Sequence, residues 1–416
     1  MRKSYRVLII VFIFFLAGLI LFFLNKYYPL DYLYNLIIKR DFAVNPRVEI
    51  DPGREYQVRI WYYPFYRTIK EADEREFFQE LKEDLETTYP NIRLFVGEID
   101  FATGIESLRE AIEEGKPPDI YFNLSSQDLL EEKLQLAVSP YISPMEREAY
   151  YTVDWQQVSF RDRLWGWPVL VQRQYWIAGK GILAEKYKDL PFLDQLAYLE
   201  EDSLFLNYYD ETLLKQLLTL VGLENFKVEK GELDPFAYEA LEELFTLLDS
   251  LRERGILYKD SRLVPDIFVR KLLEDKAVVI GPVNPYLGHF ISERLGEEVE
   301  FIYLDNLVKT YVLNVFRQRD YRGDDHSRAV MEVARIISQK TAGSLAGDLG
   351  LTKAYLNGEG LKAGAEMRAG EELIPGVKEL LLIQPGERAY WEEVVWPAWL
   401  DFWEQDLSPE EVLKRL

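Results

Sequence analysis

From residue 55 onward, short apolar runs alternate with stretches whose apolar residues recur at helical spacing. YQVRIWYYP, RLFVGEI and PDIYFN predict three β-strands, because β-branched and aromatic residues dominate each run. Between them, EADEREFFQELKEDLETTYP and GIESLREAIEEG each place apolar residues on one helical face. The resulting order, strand–helix–strand–helix–strand, is typical of a parallel α/β sheet with helices on its faces.

A second alternating region follows the segment LWGWPVLVQRQYWIAGK, residues 164–180. PFAYEALEELFTLLDSLRERG predicts a long helix, SRAVMEVARIISQ another, and VEFIYL and TYVLNVF two separate strands. Within residues 164–180, a polar triplet, Gln172–Gln174, interrupts two apolar pieces. The segment is therefore either a core strand with a solvated edge or a place where the chain crosses between two domains.

The N-terminus carries an uncharged apolar run, Val7–Leu24, which is long enough to span a bilayer as a helix. The basic residues Arg2, Lys3 and Arg6 precede it, which favours a cytoplasmic segment at residues 1–6. No small-residue cleavage site follows Leu24. We therefore predict an uncleaved transmembrane signal anchor at residues 7–24, with the globular body on the extracytoplasmic side of the cell membrane.

Residues 25–54 are predicted to form a stalk or linker between the anchor and the body. Tyr27, Tyr28 and Tyr32 resemble the aromatic belt of a membrane interface. LYNLIIKRDF predicts a short interfacial helix, and the proline and glycine residues of NPRVEIDPGRE indicate a linker.

Composition narrows the classes of function. A chain of 416 residues is too long to fold around a single compact core, so two domains are expected. The net charge of −22 argues against nucleic-acid binding, and the absence of cysteine removes disulfides, thiolate catalysis and lipid-modified cysteine. With His289 and His326 the only histidines and no G-x-S-x-G, P-loop or H-E-x-x-H motif, we expect no enzyme, no metal site and no cofactor.

Seven motifs in a fixed order carry a family resemblance over roughly residues 55–416. They are VRIWYYP, YPNIRLFV, EGKPPDIYF, LQLAVSPYI, FRDRLWGWPVLV, LLEDKAVVIGP and LSPEEVLKRL. In this order the chain resembles family 1 of the extracellular solute-binding proteins of ABC importers, which includes maltose-binding protein. The resemblance implies an α/β, two-lobed periplasmic-binding-protein-like fold (class II) with a hinge and an interlobe cleft, here preceded by one transmembrane helix.

The resemblance also implies the domain bounds. Lobe one would comprise residues 55–171, with 306–345 returning to it. The hinge and lobe two would comprise residues 172–305, with 346–416 returning. Gln172–Gln174 would then line the hinge. Where the family usually has Tyr-Asn-Lys, this chain has Ala178–Gly179–Lys180 and keeps only the lysine.

A saccharide site needs flat aromatic surfaces and polar hydrogen-bonding groups, and open α/β sheets bind ligands at strand carboxyl ends. The resemblance aligns Gln172 with a hinge glutamate, Asp210 with a lobe-two glutamate and Trp391 with a stacking tryptophan, whereas Ser125 and Val283 depart from the family pattern. Trp396, Trp399 and Trp403 are spaced for core packing instead. The predicted ligand-binding residues are Tyr62, Tyr63, Asn123, Ser125, Gln172, Arg173, Tyr209, Asp210, Asn284, Tyr286 and Trp391.

Together these observations predict an extracytoplasmic solute-binding protein. Its partners would be a small-molecule solute, expected to be an oligosaccharide or sugar derivative, an ABC permease that receives it, and the membrane. The alternative is a solute-binding-like ectodomain that acts as a membrane-anchored sensor or scaffold.

Overall fold

The computed structural model describes most of the chain outside the N-terminal run. It covers residues 26–39, 42–62, 71–100, 103–123, 133–150, 158–160, 163–183, 190–223, 226–258, 279–283, 299–340, 352–353 and 385–416, and the single residues 12, 15, 16, 18, 155, 270, 274 and 291. Most of the predicted span at residues 7–24 therefore lies outside the described residues. No helix within the described ranges has both the length and the apolar character needed to cross a bilayer.

The described strands and helices follow the predicted alternation. The strands are β1 Tyr56–Tyr62, β2 Ile92–Glu98, β3 Ile120–Asn123, β4 Ser159–Phe160, β5 Arg163–Leu164, β6 Trp167–Gly179, β7 Leu204–Leu206, β8 Val228–Glu229, β9 Glu232–Leu233, β10 Val279–Val283, β11 Val299–Val315 and β12 Thr352–Lys353. The α-helices are α1 Leu30–Leu33, α2 Glu71–Thr88, α3 Gly104–Glu113, α4 Pro144–Arg147, α5 Phe192–Leu196, α6 Glu211–Leu220, α7 Pro235–Glu253, α8 Asp324–Lys340, α9 Pro385–Tyr390, α10 Trp396–Glu404 and α11 Pro409–Leu413. Tyr34–Lys39 and Trp391–Val395 are π-helical, and Ser139–Tyr141 is a 3₁₀-helix.

The first alternating region forms the predicted parallel sheet. β1 lies between β2 and β3 and pairs with both in parallel. Helix α2 covers this sheet because four of its apolar side chains share one face, and all four are buried, namely Phe77, Phe78, Leu81 and Leu85. The predicted strand–helix–strand–helix–strand order is therefore confirmed.

Two long strands connect the two halves of the molecule. β6 has 13 residues and β11 has 17, and they pair in antiparallel fashion from Trp167 opposite Leu313 to Gly179 opposite Val299. VEFIYL and TYVLNVF are strand, as predicted, but the structure joins them into one long strand. Both belong to β11, because the polar residues between them are a local irregularity of one strand and not a turn.

The described apolar residues form two large cores, and the change from one to the other falls within β6. Leu170 and Val171 belong to the first core, with β1–β3, α2 and α8. Trp176 and Ala178 belong to the second, with α6, α7 and the C-terminal helices. The second core continues the same sheet through β10 and β7, which are parallel to each other and antiparallel to β6.

The C-terminal tryptophans pack into the second core. Trp399 is fully buried, and Trp396 and Trp403 pack partly buried against the same cluster, as their spacing predicts. A π-helical turn, Trp391–Val395, immediately precedes α10. Pro397 stands in the first turn of α10, where it lacks an N–H donor and its ring would clash with the preceding turn of a regular α-helix.

The stalk is more closely tied to the body than a free linker would be. Val44 and Ile50 pack against the first core. The guanidinium of Arg54 forms an ion pair with the carboxylate of Asp325 at 2.6 Å, and the backbone N–H of Asp51 donates to the hydroxyl of Tyr56 at 2.9 Å. Residues 42–54 therefore lie against the first core and are not a loose tether.

A buried polar cluster occupies the amino end of β3. Asp119 is 2 % exposed, accepts the backbone N–H of Arg59 at 2.9 Å, and lies 3.6 Å from a guanidinium nitrogen of Arg322. Nε2 of His326 lies 3.8 Å from the same carboxylate and has no hydrogen-bond partner. Burial raises the pKa of Asp119 and lowers the pKa of His326 to about 4. The cluster therefore holds an uncharged imidazole at neutral pH.

A prediction tests the packing between Trp176 and Gly281. A Cβ added at Gly281 would lie 2.0 Å from Cδ2 of Trp176 in the buried second core. Gly281→Ala should therefore lower the free energy of unfolding by about 3 kcal/mol, measured by urea unfolding. The control is Gly386→Ala in α9, where an added Cβ meets nothing within 4 Å. Equal midpoints for the two variants would contradict this packing.

A second prediction concerns His326. Because its pKa is lowered to about 4, its stabilising contribution is complete above its unfolded pKa and is lost as pH falls towards 4. Between pH 7.5 and pH 5, the wild type should lose about 2 kcal/mol more unfolding free energy than His326→Gln. The raised pKa of Asp119 acts in the opposite direction, but it does so in both proteins. Parallel stability curves for the two proteins would contradict the assignment.

Candidate functional site

The carboxyl ends of the parallel strands in the first core point towards the middle of the β6–β11 pair. Asn123, the last residue of β3, lies opposite Val312, whereas Ile120 at its start lies opposite Val315. Because β11 runs antiparallel to β3, Asn123 is nearer the middle of β11. β1 and β2 run parallel to β3, so their carboxyl ends share this edge.

The second core presents its carboxyl ends to the same place from the other side. Val283, at the end of β10, pairs with Tyr175, whereas Val279 pairs with Ala178 further along β6. β7 is parallel to β10, so the chain after Leu206 begins at this edge too. The carboxyl edges of the two cores therefore face each other across the β6–β11 pair, and open α/β sheets bind ligands at such edges.

The pairing of β6 with β11 is interrupted between these two edges. Arg173 pairs with Val308 and Tyr175 with Tyr303, so residues 304–307 of β11 lie opposite Gln174 alone. A bulge of this kind removes ladder hydrogen bonds and allows the strands to bend locally. The predicted polar triplet Gln172–Gln174 thus lies at the point where the chain passes between the two cores, a point we call the crossing.

Of the ligand-binding residues predicted in lobe one, one is buried in the core, one lies at the carboxyl edge, and two lie outside the described residues. Tyr62 is buried in the first core, where its hydroxyl donates to Oε2 of Glu98 at 3.3 Å and its ring lies 4.5 Å from that of Phe78. Its ring therefore offers no open face to a ligand, which corrects the expectation from the strand-end pattern. Asn123 ends β3 at the carboxyl edge. Tyr63 and Ser125 lie outside the described residues.

In the second core, Tyr209 and Asp210 follow β7 at the carboxyl edge. The ring of Tyr209 is 45 % exposed and lies 4.4 Å from that of Tyr208. Its hydroxyl donates to Oε1 of Glu404 at 2.9 Å, and the hydrogen bonds with Tyr208 and Glu404 raise its pKa. It therefore remains a neutral O–H group at physiological pH.

Asp210 has a structural role that the sequence did not indicate. Its carboxylate accepts the backbone N–H of Thr212 at 2.9 Å and thereby caps the start of α6. The helix cap uses one carboxylate oxygen, and the residue still lies at the carboxyl edge. Asn284 and Tyr286 follow β10 but lie outside the described residues. Gln172 and Arg173 lie on β6 at the crossing.

Trp391 is fully buried, which corrects the prediction of a stacking surface. Its indole ring lies edge-on to Phe226, with 5.3 Å between the ring centroids. The ammonium of Lys215 lies 5.7 Å from the ring centroid. Both faces are thus enclosed by the second core, and the ring would have to move before it could stack on a sugar.

One ion pair joins the two cores, and no local sequence pattern indicates it. A guanidinium nitrogen of Arg109 on α3 lies 3.0 Å from a carboxylate oxygen of Glu392, the residue after Trp391. Leu108 packs with Phe316 next to the first core, and Trp391 belongs to the second. No other ion pair between described residues connects the two cores. Both side chains are about half exposed, so the pair is accessible to solvent and salt.

The described residues contain no group of three or more His, Asp or Glu side chains that could hold a metal ion. The Asp119–His326 cluster lies at the amino end of β3, away from the crossing. The described side chains at the carboxyl edge of the second core, Tyr209, Asp210 and Glu404, offer an aromatic ring and carboxylate oxygens.

Comparisons with known proteins identify similar folds but no matching family. No protein-family profile matches the chain, and no curated protein matches it. Among solved structures, the sugar-binding protein MalE from Xanthomonas citri is 14% identical, with a TM-score of 0.63 over 86% of this chain and 94% of that chain. A cyclo/maltodextrin-binding protein complexed with maltotetraose is 14% identical, with a TM-score of 0.61 over 87% and 96% of the two chains.

A third similar structure is the GacH receptor of Streptomyces glaucescens, determined unliganded and with acarbose. It is 12% identical, with a TM-score of 0.55 over 87% of this chain and 96% of that chain. At such low identities the likeness concerns the fold. The chain therefore has the two-domain, mixed α/β fold of the maltodextrin-binding proteins, as the resemblance implied.

Proposed function

We propose that this protein is an extracytoplasmic solute-binding protein that binds a carbohydrate in the cleft at the crossing and delivers it to an ABC permease. The observation that carries the proposal is the meeting of two sets of strand carboxyl ends across one pair of connecting strands. A ligand at this position touches both lobes, so that its binding favours their approach.

The chemistry of the described edge supports a saccharide. Tyr209 offers a half-exposed ring for the C–H face of a sugar, and Glu404 beside it offers an acceptor for hydroxyl groups. Gln172 and Arg173 at the crossing would add amide and guanidinium donors. Solved structures of the same fold hold maltotetraose and acarbose, which is consistent with an oligosaccharide or a sugar derivative here.

Closure of the lobes would be stabilised by Arg109 and Glu392. An exposed ion pair contributes at most about 1 kcal/mol, so it cannot hold the lobes together alone. The bridging ligand would supply most of the free energy of closure. A weak pair of this kind allows the protein to open again and release the ligand.

We also propose that the run Val7–Leu24 is a signal anchor that keeps the body at the outer face of the cell membrane. Sensing or scaffolding is the second candidate function. The observation that favours it is the docked stalk, because residues 42–54 lie against the first core and restrict how far the body can move from its anchor.

Ligand binding tests the proposal most simply. The full chain in detergent, titrated with a panel of mono- and oligosaccharides, should show a saturable change in tryptophan fluorescence and a raised Tm with one saccharide class. Tyr209→Ala should weaken that binding about tenfold, since an aromatic contact contributes about 1.4 kcal/mol. Phe236→Ala removes an aromatic ring of the same lobe that is 76% exposed, and it should leave affinity unchanged.

The outcomes separate the alternatives. Shifts with another solute class, and none with any saccharide, would contradict the carbohydrate assignment but not the receptor. If none of the tested solutes changes the fluorescence or the Tm, solute binding is contradicted and a scaffold is favoured.

A further inference from the structure

The segment from Lys26 to Phe42 exposes an unusual amount of apolar surface; we call this segment the foot. It contains α1 and the π-helix Tyr34–Lys39, and Ile37 and Ile38 are 62% and 66% exposed. Contiguous apolar side chains on a protein surface mark an interaction site. The exposed large apolar residues of the foot are Tyr27, Tyr28, Tyr34, Leu36, Ile37, Ile38 and Phe42.

The foot is held against the first core by specific contacts. The guanidinium of Arg317 lies 3.9 Å from the ring centroid of Phe42, and Tyr321 meets the same ring edge-on at 4.9 Å. The side-chain amide of Asn45 donates to the carbonyl oxygen of Tyr27 at 3.0 Å. These contacts fix the position of the foot relative to the lobe, while Leu36, Ile37 and Ile38 remain exposed.

The contacts lie at the end of the lobe opposite the crossing. Arg317 and Tyr321 follow the end of β11, beyond Val315, which pairs with Ile120 at the amino end of β3. Arg163, which donates to Oδ1 of Asn35 at 3.5 Å, precedes the start of β6. The foot and the predicted cleft are therefore at opposite edges of the first lobe.

The sequence around the foot indicates a bilayer as the occupant of this surface. The uncharged run Val7–Leu24 immediately precedes the foot, and tyrosines concentrate at membrane–water interfaces. Lys26 stands at the junction, its ammonium 5.6 Å from the ring centroid of Tyr27. The chain as a whole carries a net charge of −22, so attraction to anionic lipid headgroups does not explain an exposed surface of Ile, Leu and Tyr, whereas apolar insertion does.

We propose that the foot inserts into the interface of the membrane and holds the first lobe with its cleft facing away from that membrane. The inference rests on the proposed membrane anchoring but not on the proposed ligand. One consequence is that a permease in the same membrane reaches the cleft only after the foot has left the interface. Release of the foot from the membrane interface would then limit how often a permease can reach the cleft.

Single cysteines test the insertion, since the chain has none of its own. Full-length Ile38→Cys, labelled with an environment-sensitive fluorophore and reconstituted into phosphatidylcholine vesicles, should emit at shorter wavelength and be quenched by nitroxide lipids. The matched control is Phe236→Cys, also an exposed apolar position, in the second lobe. Its label should show neither effect.

Two further positions test the orientation. Energy transfer to an acceptor dye in the membrane should be stronger from Asp320→Cys, next to Tyr321 at the docking edge, than from Glu392→Cys in the second lobe; both residues are exposed. Equal or reversed transfer would overturn the orientation.

The remaining outcomes separate this inference from the proposals on which it touches. If the protein binds vesicles but the label at residue 38 is not quenched, insertion of the foot is contradicted, whereas the proposed membrane anchor is not. Protein that does not bind vesicles would overturn both. Saccharide titration of the same samples reports ligand binding independently of either result.

Discussion

The antiparallel pairing of β6 with β11 is the constraint on which the rest of the structure depends. These strands form the described backbone ladder that both cores share, and each also pairs on its other side, β11 with β3 and β6 with β10. The longer interruption of this ladder lies opposite Gln174, and a second, smaller register shift lies between Tyr311 and Val312. Because the longer interruption lies at the crossing, the proposed closure of the two lobes would bend the chain there.

The β6–β11 pairing also sets where the proposed ligand site, the ion pair between Arg109 and Glu392, and the foot lie. It brings the carboxyl edges of both sheets to the crossing and leaves the amino edge of the first lobe at the far end. Arg109 and Glu392 meet because the lobes approach each other, and their pairing is weak because solvent reaches both. Phe42 docks at the opposite edge, so the proposed membrane contact and the proposed ligand site lie on separate surfaces of one lobe.

Local patterns could be read from the sequence, whereas features set by tertiary packing could not. The buried stripe of α2 follows from helical periodicity alone. β11 was predicted as two strands because a polar stretch in a strand resembles a turn. Trp391 and Tyr62 were expected at the site because composition does not reveal burial, and both are enclosed by core residues. Arg109 and Glu392 are separated by 283 positions, so no local signal could pair them.

The most direct test of bending at the crossing is the distance between one position in each lobe. Spin labels at Glu83→Cys on α2 and Glu242→Cys on α7 report it, since both residues are exposed and lie on helices that pack on different cores. With the saccharide that raises Tm, the distance distribution should shift to a distinct, narrower population. A distribution that stays the same at saturating ligand would contradict closure about the β6–β11 crossing.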